Sequence, residues 1–174
     1  VNDLLEQVWK PGLSRAENEV QEMQELINAE GNNFELAAWD WWHYSEKIRQ
    51  EKYDFTEAEV KPYFSERKVL QGAFEVANKL FQISFTERFD FPKYRENIRS
   101  FEVKNEHGDT IGIFYTDYTI RSNKSGGAWM NTFRSQSTFD GVQIPIVVNV
   151  CNFPPKNKDG FALLSFEQAS TLFH

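Results

Sequence analysis

The sequence predicts an α+β fold. Residues 1–82 read as a helical part, 83–164 as a small β-sheet made of a hairpin plus two further strands, and 165–174 as the start of one more helix. Three observations carry this. Apolar residues recur every three to four positions up to about Leu80, the spacing of one helix face. After Phe101 the period falls to two on either side of Asn105-Glu106-His107-Gly108-Asp109, as a hairpin with a five-residue loop requires. Ser165 followed by Gln168 then opens a helix again, as a capping box in which the serine accepts from the third helical N–H and the glutamine reaches back to the cap.

Leu13, Ala16, Val20, Met23 and Ile27 place a first helix over about 13–30, with Pro11-Gly12 as its upstream break and Gly31-Asn32-Asn33 as its stop. Phe34 to about Lys52 reads as a second helix. Phe34, Ala38, Trp41, Ser45 and Ile48 share a face that Ala37, Trp42 and Tyr44 widen, so it is expected to be buried on most sides. Thr56 with Glu59 opens a short helix through Tyr63, and Ser65 caps a long one whose Val69, Ala73, Val76, Ala77 and Leu80 face inward. Phe101 and Val103 on one arm, and Ile111, Ile113 and Tyr115 on the other, form the hairpin. Ala128 to Phe133 is a third strand, after the turn-rich Ser122 to Gly127. Ile144 to Val150, apolar and β-branched, is a fourth, expected to be covered on both faces. Asn152 to Gly160, with Pro154-Pro155, reads as an irregular loop.

With 40 % apolar and 16 % aromatic residues, 174 positions suffice for a packed core. A net charge of −7 and the lack of a basic stripe argue against nucleic acid or an anionic membrane as partner. Cys151 is the single cysteine, which rules out an internal disulfide framework and suits a reducing compartment, so a cytoplasmic location is expected.

Five motifs occur in order: Trp39-Asp40-Trp41-Trp42, Lys61-Pro62-Tyr63-Phe64, Val69-Leu70-Gln71-Gly72, Glu87-Arg88-Phe89-Asp90 and Ser125-Gly126-Gly127-Ala128-Trp129-Met130. Leu172-Phe173-His174 ends the chain. Together they resemble the thimet oligopeptidase family of zinc metallopeptidases, and within it the bacterial peptidyl-dipeptidase, or dipeptidyl carboxypeptidase, branch. The resemblance covers essentially the whole chain and implies part of a mainly α-helical catalytic domain. It identifies His174 as the first histidine of a His-Glu-x-x-His motif, hence the first zinc ligand of the intact protein. In such a helix two histidines four apart face one metal, and the glutamate activates its water. The glutamate, the second histidine and a third ligand would lie beyond His174. The chain is therefore expected to be a fragment that carries no catalytic residue, holds no zinc catalytically and is inactive alone. It is also expected to self-associate through surface that missing parts of its own chain would cover.

Each candidate residue also has a plainer interpretation. His174, taken alone, is an exposed terminal residue. Gly126-Gly127-Ala128, taken alone, is a flexible turn entering a strand. The resemblance implies instead that these three bind substrate, as a cleft wall where an extended peptide pairs its main chain with the strand by β-augmentation, with Trp129 and Met130 packed beneath. Asp117 and Arg121 are expected to form an ion pair that steadies the preceding loop. Trp39, Trp41, Trp42 and Tyr44 are expected in the core. His43 and His107 lack partners at ligand spacing, and Cys151 reads as a small core residue. Ile120, Phe161 and Ala169 depart from the family pattern, but all three are apolar. The function implied is zinc-dependent hydrolysis of short peptides with release of C-terminal dipeptides. Endopeptidase action within the same family, and a non-catalytic helical and β binding domain from a truncated gene, remain the alternatives.

Overall fold

A computed structural model of the chain describes residues 1–53, 56–158, 160 and 162–174. The chain divides into two compact units, Val1–Thr56 and Glu57–His174. Phe161, one of the departures from the family pattern, lies outside the described residues.

In the first unit, α1 (Asn2–Ala29) and α2 (Trp41–Tyr53) close over Met23, Ile27 and Tyr44, with Leu26, Leu36, Trp41 and Ile48 packed around them. Ion pairs tie α2 to α1 and to the residue that follows α1, Lys52 to Glu22 and Lys47 to Glu30, each at 2.6 Å. The expected break at Pro11-Gly12 is absent: α1 runs through Pro11. A proline removes the donor that would reach the Gln7 carbonyl, and residues 1–13 are exposed, so water can satisfy that oxygen.

The helix expected from Phe34 begins only at Trp41. Side chains take the backbone N–H groups ahead of it: Gln24 Oε1 accepts from Leu36 N–H at 2.8 Å and Asp40 Oδ2 from Ala37 N–H at 3.1 Å. Local side-chain acceptors of this kind compete with helix. The expected core role holds for Tyr44 alone in full. Trp41 is half-buried, while Trp39 and Trp42 are 84 % and 81 % exposed, which corrects the expectation of a helix buried on most sides.

The second unit starts with α3 (Glu57–Val60) and a 3₁₀ turn over Lys61–Tyr63, followed by α4 (Glu66–Phe81). Ser65 precedes α4 without a side-chain cap bond. It is instead bridged to Leu163 in extended pairing, and the Ala162 carbonyl accepts from Glu66 N–H at 2.8 Å. Of the inward face expected on α4, Val69 is buried, whereas Val76 and Leu80 are exposed. The helix ends without a glycine: Gln82 adopts φ 56°, and Asn78 Nδ2 donates to the Ile83 carbonyl at 2.9 Å.

Among the described residues five strands follow: β1 (Ser84–Arg88), β2 (Arg99–Lys104), β3 (Thr110–Thr119), β4 (Trp129–Arg134) and β5 (Ile146–Phe153). Their order is β1-β2-β3-β5-β4, antiparallel throughout except for the parallel β3/β5 pair. The hairpin loop is Asn105 to Asp109 as expected, with Gly108 at φ 85°. β1 adds a strand to the four expected. It carries one apolar residue, Phe85, and is held across the ladder by Arg99, which forks onto Glu87 with two bonds of 2.8 Å.

One face of the sheet buries Phe101, Tyr118, Cys151 and Phe153 against Val69 and Leu70 of α4 and Ala169 and Leu172 of α5 (Phe166–Phe173). The opposite face buries Tyr115, Val148 and Val150 with Ile98. Alternate residues of β5 thus enter two cores, which explains its almost unbroken apolar run. α5 starts in the expected capping box, Ser165 Oγ accepting from Gln168 N–H and Gln168 Oε1 from Ser165 N–H, both at 3.0 Å.

Candidate functional site

Among the described residues β4 pairs only with β5, so it closes one side of the sheet, and all six of its residues are exposed. Trp129 and Met130 are 39 % and 64 % exposed, so they do not pack beneath a cleft within this chain. The backbone enters β4 through Gly126-Gly127-Ala128. Gly127 has φ +86°, a left-handed conformation that favours glycine. Gly126 needs no such freedom, and a Cβ built on it would meet nothing within 4 Å. Its lack of a side chain therefore answers no crowding inside the chain.

This entry segment is fastened from two sides. Asn152, in β5, donates from Nδ2 to the carbonyls of Ser125 at 2.7 Å and Gly127 at 2.8 Å. The Lys124 side chain is buried, and its Nζ donates to the Asp117 carbonyl at 2.6 Å, Asp117 Oδ1 at 3.1 Å and the Thr119 carbonyl at 3.2 Å. Asp117, itself 1 % exposed, also receives two bonds from Arg121 at 2.6 and 2.8 Å and the Tyr94 hydroxyl at 2.8 Å. Burial opposes the charge on Asp117. The bonds from Arg121, Tyr94 and Lys124 outweigh it and hold the carboxyl down at about 2. Burial and the Asp117 carboxylate push Tyr94 up to about 12. Burial also lowers Lys124, although Asp117 favours its charged form. The Asp117–Arg121 ion pair, expected from the family resemblance, is thus the centre of a four-residue network with Tyr94 and Lys124.

A cleft of about 530 Å³ is lined by Tyr94, Trp129 and Phe133 together with Asp117, Arg121 and Lys124 of this network. Two features here suit an extended ligand: a strand edge unpaired among the described residues and a side-chain-free backbone at Gly126.

His174 stands on a different element. It is exposed at the end of α5, and its N–H donates to the Ser170 carbonyl at 3.0 Å, in continuing helical pattern. No three His, Cys, Asp or Glu side chains among the described residues come together as a metal-holding group. One imidazole does not furnish the three protein ligands of a catalytic zinc site, so the residues present do not fit zinc by themselves. His43 lies edge-on to Tyr44 at 5.0 Å, and His107 is exposed beside Glu106. Cys151 is buried, and desolvation pushes its thiol up to about 11. No helix among the described residues is long and apolar enough to cross a membrane.

Sequence reasoning missed Asn152, Lys124 and Tyr94. Asn152 sits where an apolar run yields to a Pro-Pro loop, which reads as loop composition. Lys124 lies among Ser, Asn and Gly, where a solvated lysine is the ordinary case.

Comparison with known proteins agrees with the family resemblance. Peptidase family M3 matches over residues 1–174. The chain is similar to dipeptidyl carboxypeptidase of Salmonella typhimurium, 43 % identical over 94 % of this chain and 24 % of that protein. It is 42 % identical to dipeptidyl carboxypeptidase of Escherichia coli over 92 % of this chain and 24 % of that protein. To oligopeptidase A of Escherichia coli it is 35 % identical over 100 % of this chain and 26 % of that protein. The chain thus spans about a quarter of the length of these curated relatives. With its motifs in family order and a match from the first residue to the last, the chain belongs to peptidase family M3.

Proposed function

We propose that this chain is a portion of a longer, zinc-dependent peptidase that cleaves short peptides and releases C-terminal dipeptides, and that Gly126, Gly127 and Ala128 receive the substrate's main chain. The observation that carries the role of the glycines is the open space over Gly126 beside a strand edge with no partner among the described residues. An extended peptide laid along β4 would exchange backbone hydrogen bonds with it. Such pairing reads main chain, not side chains, and suits a peptidase of broad tolerance. The dipeptidyl carboxypeptidases at 43 % and 42 % identity favour dipeptide release. The oligopeptidase A relative at 35 % favours endopeptidase action as the second reading. Digesting a peptide with a free C-terminus beside its C-terminally amidated form separates the two. Dipeptides released only from the free form support the first.

His174 is proposed as one imidazole donor to a zinc ion whose other ligands come from the rest of the protein. His174→Ala in the full-length protein should lower bound zinc to well below one equivalent per chain, and a fully loaded variant would remove it from the ligand set. The 174-residue chain alone is proposed to be inactive. Zinc-dependent cleavage by it that a chelator abolishes would overturn this. A cytoplasmic location is in keeping with the single, buried Cys151.

The glycine that tests the cleft wall is Gly126. At Gly127 a side chain is strained by φ +86° whatever it does to substrate. Gly126→Val in the full-length protein should keep its zinc and melting temperature and lose kcat/KM by about a hundredfold, the scale of a misplacement near 1 Å. Normal kcat/KM in a folded, zinc-loaded variant would refute the role.

A further inference from the structure

We propose that Asn152 is a positioning residue for peptide binding: its carboxamide holds the backbone from Ser125 to Gly127 in the conformation that meets the substrate's main chain. This rests on the cleft-wall role proposed above and names the group that sets it.

Asn152 lies two residues beyond Val150, the β5 partner of Trp129. Continued antiparallel register would bring residue 152 opposite 127. The regular pairing stops at Trp129, however, and Gly127, at φ +86°, lies outside strand geometry. The Asn152 side chain takes over at that point. Its amide nitrogen carries two hydrogens, and each finds a carbonyl, Ser125 at 2.7 Å and Gly127 at 2.8 Å. The Ser125 carbonyl shares its peptide plane with the Gly126 N–H, so holding it fixes the direction of that N–H, and the Gly126 carbonyl lies between two held planes. The side of Gly126 on which a Cβ would stand is open.

The segment is anchored independently at both ends. Lys124 is held by three oxygen acceptors, and Trp129 by the β4/β5 ladder. Losing the carboxamide would therefore release residues 125–128 alone, the part that would meet a peptide, and leave both cores intact. Few side chains can replace it. Aspartate has the same shape and no donor, and its carboxylate would oppose two carbonyl oxygens. Serine is too short to span both.

The test uses the full-length protein carrying Asn152→Ala, Asn152→Asp or Gly126→Val, with melting temperature, zinc content, kcat and KM measured on one peptide substrate. Asn152→Ala should raise KM about tenfold or more, with a smaller change in kcat, and with zinc and melting temperature close to those of the parent. Asn152→Asp should be at least as impaired, since it fills the space and lacks the donors. Three results would overturn the proposal. Normal KM in Asn152→Ala beside an impaired Gly126→Val removes Asn152 and leaves the cleft wall standing. Normal kinetics in Gly126→Val removes the cleft wall and the positioning role with it. A loss in Asn152→Ala that follows a melting point lowered by more than about 5 °C, or that Asn152→Asp restores, makes Asn152 a scaffold residue.

Discussion

Replacing Asp117 by Asn tests the network around it as a charge device. The carboxylate is 1 % exposed and accepts from Arg121 twice, from Lys124 and from Tyr94. Asparagine keeps the shape and one acceptor but leaves two cations without a counter-charge, one of them the buried Lys124. Removing one partner of a buried ion pair costs about 3–5 kcal/mol. The retained carbonyl and the partial exposure of Arg121 place this variant near the lower end. A loss of about 3 kcal/mol lowers the melting point of a protein this size by about 6–12 °C.

The pH dependence gives a second magnitude. Asp117 falls from 3.8 to about 2 in the folded chain, and a shift of that size corresponds to about 2–3 kcal/mol. Because its folded pKa is depressed, this stability is fully present above about pH 4 and is lost as pH falls toward 2. Thermal unfolding followed by circular dichroism should therefore show the parent and Asp117→Asn well separated at pH 7 and converging near pH 2, where a protonated Asp117 resembles the amide. Lys124→Met added to Asp117→Asn should recover part of the loss, since one orphaned cation is gone. A gap below about 1 kcal/mol at pH 7, or one that stays constant down to pH 2, would refute the charge argument.

Three further outcomes follow from the same structure. Ser165→Ala removes an accepting oxygen from the α5 capping box and should cost about 1 kcal/mol, read as a melting point about 2–4 °C lower; no change would mean the box is not stabilising α5. Cys151, buried with its thiol raised to about 11, should resist a maleimide at pH 8 in the native chain and react at once in urea, and rapid native labelling would contradict its burial. The 174-residue chain exposes Leu4, Leu5, Val8 and Trp9 on α1 at 61–68 %, together with Trp39, Trp42 and Phe166. It should therefore bind a dye for apolar surface and sediment partly as oligomers; a strictly monomeric boundary at high concentration without dye binding would count against surface meant for other parts of the chain.

What the sequence determined on its own was set by local and periodic physics. The capping box at Ser165 and Gln168 needs residues three apart and nothing else, and the hairpin about Asn105 to Asp109 needs alternation on both arms and a loop of turn residues. Motif order, which requires no coordinates, placed the chain in its family. Tertiary structure decided what depends on residues distant in sequence. The backbone of Leu36 is drawn out of helix by Gln24, twelve positions earlier. β1 is a strand because Arg99 and β2 hold it, though its own five residues carry a single apolar side chain. The sign of the environment around Lys124 and the grip of Asn152 on Ser125 and Gly127 were equally out of reach. Each depends on how the chain turns after β3: Lys124 folds back onto the Asp117 and Thr119 carbonyls, the Asn152 amide reaches across 25 to 27 residues, and composition at neither position carries any trace of that.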